Sequence, residues 1–167
     1  VATWGNTVAA VLKDCDIPAH VESNTGYFSS YEIQVILSML RILDNPLQDI
    51  PMAAVLASPI VGMDDEELAQ IRSAFKGVSF AQAALSAMAG EDGYEDEKLK
   101  AFALVFERLR GAVADTPIHE LLYMMLDETG FYRYASAMPA GKRRRQNIDM
   151  LIEMATAYEK TSYKGLF

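Results

Sequence analysis

With 167 residues, 51% hydrophobic and 23% charged, the chain is long enough to bury a real core and too apolar to be disordered. Its formal charge of −8 excludes a surface that coats nucleic acid broadly, so any phosphate contact has to be local. No apolar run approaches the roughly 20 residues of a membrane span, and the opening "VATWGNTVAA" lacks the basic leader and apolar stretch of a signal peptide.

The chain begins at Val1 and ends at "YKGLF", which reads as a piece of a longer polypeptide. Trp4, Val8, Val11, Leu12 and Cys15 recur at helical spacing, so Cys15 is expected as a small core residue rather than a nucleophile. As the single cysteine it excludes an internal disulfide and fits a reducing cytoplasm. "IPAHVES" reads as one short strand. Ser29 with Glu32 reads as a capping box, followed by Ile33, Ile36, Leu37, Leu40 and Leu43 on one helical face. Asn45-Pro46 ends that helix, because proline disfavours the helical conformation in the residue before it.

"IPMAAVLASP" predicts a short buried helix between Pro51 and Pro59. Asp64 and Glu67 open another, with Leu68, Ile71 and Phe75 inward, and Ser79 with Gln82 repeats the capping signature before "AALSAMAG". "GEDGYEDE", five acids in eight residues, reads as a solvated loop. Leu99, Phe102, Phe106, Leu109 and Val113 then mark a long helix, and Thr116-Pro117 starts one through Ile118, Leu121, Leu122 and Met125. Ile148, Leu151, Ile152, Ala155 and Tyr158 mark the last. The pattern predicts a mainly α-helical domain of about seven to nine helices, with at most one or two short strands near the N-terminus.

Catalytic signatures are scarce. His20 and His119 stand far apart with no cysteine cluster, so each reads as a surface or capping histidine and no zinc pattern forms. There is no G-x-x-x-x-G-K-[ST] phosphate loop. "LLYMMLDET" imitates the acidic strand end of an ATPase, but its threefold and fourfold apolar spacing makes it a helix. "GKRRRQN" is the one concentrated basic feature: Lys142, Arg143, Arg144 and Arg145 near a helix start, where positive charge opposes the macrodipole. A phosphate would offset that cost, and so would pairing with the acidic loops; both readings stay open. In "SPIVGMDDEEL", Gly62 sits in a turn of the kind whose amides can meet a phosphate, but Asp64, Asp65, Glu66 and Glu67 follow at once and would repel one.

In order, Gly26-Tyr27-Phe28, Glu32-Ile33, Asp44-Asn45-Pro46 and Ser58-Pro59-Ile60-Val61-Gly62 resemble the accessory region of UvrD-like superfamily 1 DNA helicases. In particular they are similar to the A subunit of the bacterial AddAB (RexAB) helicase–nuclease. The stretch "ETGFYRYASAMPAGKRRRQNIDMLIEMATAYEKTSYKGLF" resembles that protein's "ETGYY…LPGG…RQANL…F…TSFRGLF" pattern, while residues 77–112 diverge. The resemblance implies a helical accessory domain of the type called 2B, inserted in a RecA-like domain. Residues 1–28 would lead out of that domain, and residues 29–167 would form the accessory unit. ATP and magnesium would belong to the parent protein, with no cofactor in this segment. It further implies a cytoplasmic, non-catalytic role in processing double-strand DNA ends, with DNA and a second helicase–nuclease subunit (AddB/RexB type) as partners and no membrane. The residues expected to touch DNA are Lys142, Arg143, Arg144 and Arg145, with Gly62 behind them; Gly26, Tyr27, Phe28 and Glu32 would form the junction. Where the UvrD-type turn reads Gly-Ile-Gly, this chain has Val61-Gly62-Met63. The rival expectation is a protein docking module that touches no DNA. A free-standing helical enzyme would need a pocket that no motif marks.

Overall fold

The computed structural model describes residues 26–160 together with Val8, Val11, Leu12, Asp14, Cys15 and Ile17. Among the described residues there are α-helices and 3-10 turns and no strand. The helices are α1 (Tyr31–Asp44), α2 (Asp49–Leu56), α3 (Asp65–Ala74), α4 (Phe80–Met88), α5 (Glu97–Ala112), α6 (Ile118–Thr129), α7 (Phe131–Ala137) and α8 (Gly141–Glu159). The expected strand "IPAHVES" lies almost entirely outside the described residues, as does His20.

Local chemistry explains most of the boundaries. Asn45 takes an extended conformation before the buried Pro46, and its side chain accepts the Leu47 amide at 3.1 Å. Helix α2 carries Pro51 in its first turn, where a missing N–H leaves no bond unmade. A reciprocal capping box opens α3: the Asp64 carboxylate accepts the Glu67 amide at 2.9 Å, and Glu67 accepts the Asp64 amide at 2.8 Å. Ser79 caps α4 and Asp96 caps α5. The acidic loop before α5 is exposed apart from Tyr94 and the capping Asp96. Gly130, at φ +65°, closes α6 and admits the sharp entry to α7.

Helices α1 and α5 are the middle of the bundle. Helix α1 packs on α2, α5 and α8, and α5 packs on α4 and α6; α7 and α6 both lie against α8. Of the expected face of α1, Ile33, Ile36 and Leu43 are fully buried while Leu37 and Leu40 are half-buried, and Met39 and Ile42, not expected, are fully buried beside them. The four buried alanines of α4, at 81, 83, 84 and 87, let it approach α2 closely, and Asp49 of α2 accepts the Ala81 amide at 2.9 Å. The predicted stripe of α5 is buried from Leu99 to Val113. Asp127 and Glu128 lie within α6, where Glu128 pairs with Arg108 at 3.3 Å.

Three expectations need correction. Ser29 and Glu32 form no capping box. The residue before α1 is Ser30, which makes no side-chain cap; Ser29 Oγ instead donates to the Gly26 carbonyl at 3.1 Å. Glu32 is 1% exposed and turned into the bundle, because a fixed basic partner competes for its carboxylate. Cys15 is exposed, with Val8 52% and Val11 57% exposed: shared spacing says which residues share a face, not whether a partner covers it. Tyr158, predicted inward, is likewise exposed, at 59%.

Candidate nucleic-acid interface

The basic run forms the first turn of α8, and this turn is held against the start of α1 by one buried carboxylate. Arg144 donates through Nη1 to Glu32 Oε2 at 2.5 Å, and Asn147 Nδ2 donates to Glu32 Oε1 at 2.6 Å. Arg144 Nε also donates to the Pro139 carbonyl at 3.0 Å. Burial pushes the Glu32 carboxyl up. Hydrogen bonds from Asn147, from its own amide and from Arg144 outweigh that and hold it below its ordinary 4.5. Tyr27 completes the joint by donating its hydroxyl to the Asn147 carbonyl at 2.8 Å. Burial and then the nearby Glu32 charge push that hydroxyl up to about 12, so it stays a donor across the physiological range.

This arrangement splits the predicted basic set. Arg144 is half-buried and committed to Glu32, so it neutralises a core charge. Lys142, Arg143 and Arg145 are exposed, and none has a carboxylate within 4.0 Å among the described residues. The acidic loop does not offset them; its Glu95 and Glu97 face Lys100 instead. Three cations therefore share one turn of one helix without an ion pair to any described residue, at the end where backbone dipoles disfavour them. A bound anion would relieve that opposition.

The backbone entering α8 is tightly constrained. Ala140 sits at φ +58°, a left-handed conformation that costs an alanine about 1 kcal/mol or more. Gly141 follows because nothing larger fits: a Cβ there would lie 1.9 Å from the Ser136 carbonyl oxygen and 2.7 Å from its carbon. The close approach of α7 and α8 at this corner aims the basic turn.

The structure brings Tyr27 and Glu32, two of the residues expected at the junction, together with the basic turn and leaves Gly62 out of that cluster. Gly26 is exposed with no structural demand on its Cβ, and Phe28 is 47% exposed with its ring edge-on to Tyr27 at 4.9 Å. Gly62 stands at φ +75° in the turn that closes α2, its amide donating to the Ser58 carbonyl at 2.7 Å. Its carbonyl accepts from Lys98 Nζ at 2.9 Å, and that lysine also pairs with Glu67 at 2.7 Å. Sequence reasoning missed Asn147 altogether. Its signal was the three-residue spacing from Arg144, which puts both on one face of α8. His119, at the start of α6, behaves as a capping histidine in reverse. Its backbone amide and ring Nδ1 lie against Glu159 at 2.9 and 2.6 Å, tying α6 to the end of α8.

No family model matches the chain. It is similar over nearly its whole length to curated bacterial proteins, each named as the A subunit of an ATP-dependent helicase/nuclease. Identity is 38% over 99% of the chain for the protein of Oceanobacillus iheyensis and 43% over 97% for that of Anoxybacillus flavithermus. It is 40% over 98% for that of Bacillus cytotoxicus. The chain spans only 13% to 14% of the length of these relatives.

Proposed function

We propose, since the chain belongs as one segment to the family of ATP-dependent helicase/nuclease A subunits, that it is a non-catalytic helical accessory domain that positions DNA relative to a motor. The motor, with its ATP and magnesium, lies elsewhere in the parent protein. The parent works in the cytoplasm on double-strand DNA ends, in repair and recombination, with a second helicase–nuclease subunit. Residues up to 28 lead out of the motor, and residues 29–167 form the accessory unit.

One observation carries the DNA role: Lys142, Arg143 and Arg145 project, without an ion pair to any described residue, from a turn locked to the junction by Tyr27, Glu32, Arg144 and Asn147. A cationic turn rigidly joined to the place where the chain would leave its motor transmits DNA orientation to that motor. The partners being phosphates, the contact is salt-sensitive: three of them on duplex lower affinity on the order of 40-fold between 50 and 200 mM salt. Fluorescence anisotropy with a forked DNA tests this, comparing the chain with a Lys142→Ala/Arg143→Ala/Arg145→Ala variant that spares Arg144. Binding lost in the variant supports the reading, and binding that is equal in both refutes it. A second reading, a docking module for the other helicase–nuclease subunit, draws on the −8 charge and on Met150 and Met154, exposed one turn apart on α8. It expects no DNA affinity at either salt.

A further inference from the structure

Resting on that DNA reading, we infer that the surface around the start of α8 takes an unpaired strand, by stacking bases on Tyr31 and Tyr134 beside the cations Lys142, Arg143 and Arg145. Cations alone do not distinguish duplex from single strand, because both present phosphate. Exposed aromatic rings beside them do: a duplex keeps its base faces stacked inside, whereas an unpaired strand offers each face to a ring.

The rings are placed for it. Tyr31 is the first residue of α1 and is 43% exposed; its neighbour Glu32 holds Arg144. Tyr134 lies on α7, which packs on α8, and is 48% exposed. Tyr31 thus adjoins the residue that holds Arg144, and Tyr134 stands two residues from Ser136, whose backbone lies against Gly141 at the start of α8. Burial first and then the Tyr134 hydroxyl push the Tyr31 hydroxyl above its ordinary 10, while the Arg144 charge pulls it back. Phe28, 47% exposed and propped edge-on by Tyr27, extends the aromatic surface toward the junction. The attraction for phosphate comes from side chains rather than from the helix end, since the amides of Arg143 and Arg144 already bond the Ala140 carbonyl at 2.9 and 3.1 Å.

The chemistry then assigns each group a part. Lys142, Arg143 and Arg145 track the sugar–phosphate backbone, and Tyr31 and Tyr134 hold successive bases without reading their identity. At a duplex end the surface would retain the strand that has come away, which a duplex-only contact cannot do.

The test is anisotropy of the 167-residue chain with oligodeoxythymidine of about 16 nucleotides and with a blunt duplex of the same length, folding being checked by far-UV circular dichroism. Three variants are compared: Tyr31→Ala/Tyr134→Ala, Tyr31→Phe/Tyr134→Phe and the Lys142/Arg143/Arg145 alanine triple. We expect the single strand to be preferred, with affinity falling about 20-fold between 50 and 200 mM salt. The double alanine variant should lose about tenfold or more, and the double phenylalanine variant should retain binding because its rings remain. If the alanine triple abolishes binding but the tyrosine variants bind as the parent does, or duplex is preferred, the single-strand inference is overturned and the positioning role survives. Absence of binding to either DNA overturns both.

Discussion

Replacing Arg144 by alanine should do something that replacing its neighbours does not. Glu32 is 1% exposed, and Arg144 and Asn147 supply its two side-chain donors. Removing one partner of a buried pair leaves an uncompensated charge in a poorly solvated place, at a cost of about 3–5 kcal/mol. Arg144 is itself half-buried rather than sealed, so water reaches part of the site and the lower end of that range applies. For a domain of this size about 3 kcal/mol is a fall of roughly 6–12 °C in Tm. Lys142→Ala, Arg143→Ala and Arg145→Ala each remove a charge without an ion pair from a turn that disfavours it. They should therefore leave stability within about 0.5 kcal/mol or raise it slightly. Urea unfolding at neutral pH, followed by far-UV circular dichroism, measures all four.

The pH dependence adds an internal check. The folded-state pKa of Glu32 is lowered below 4.5, so its ionic contribution is complete above that value and is lost as pH falls through the lower folded value. In Arg144→Ala the main counter-charge is gone and burial dominates, so protonation relieves the variant. The gap between parent and variant should therefore narrow as pH drops from neutral into the acid range. A gap under about 1 kcal/mol at neutral pH, or one that widens on acidification, would show that Arg144 does not neutralise a buried carboxylate.

Gly141→Ala should cost several kcal/mol, because its Cβ would meet Ser136 backbone at 1.9 Å and neither helix can yield without opening the α7–α8 corner. Ala140→Gly should stabilise by about 1 kcal/mol by relieving a left-handed alanine; the resembling pattern has glycine at this place. A Tm series of the two variants reads both signs, and equal small effects would refute the account of the corner. Gly62→Ala meets open space but must adopt φ +75°, so a loss of about 1 kcal/mol is expected in urea unfolding, with no change in DNA affinity. Asp64→Ala removes one half of the α3 capping box and should lower stability by about 1 kcal/mol; a change below a few tenths would show that Glu67, held by Lys98, carries that end alone.

Much of the helical order was legible because burial repeats with the period of the helix. The α5 stripe from Leu99 to Val113 and the α1 face around Ile33 and Ile36 need only one dry side, and spacing reveals which side that is. Stops at Asn45-Pro46 and starts at Asp64 and Ser79 were legible for the same local reason: their hydrogen bonds close within three or four residues. The joint was not. Glu32 looked like half of a capping box because a partner three residues away is the only one a linear reading can see. Its real partners, Arg144 and Asn147, lie 112 and 115 residues further along the chain. That pairing also decided which of four adjacent basic residues is structural, a distinction that composition and charge density cannot draw.

The amino-acid sequence by itself thus determined the class of fold, most of the helices, the caps at Asp64 and Ser79 and the place of the one basic turn, since each of these is a property of neighbours along the chain. Only the tertiary structure decided that Arg144 faces inward while Lys142, Arg143 and Arg145 face water, that Asn147 joins Arg144 on Glu32, and that Gly62 belongs to another corner. Those facts depend on which helices lie across one another, and a buried charge takes whichever partner the packing brings within reach.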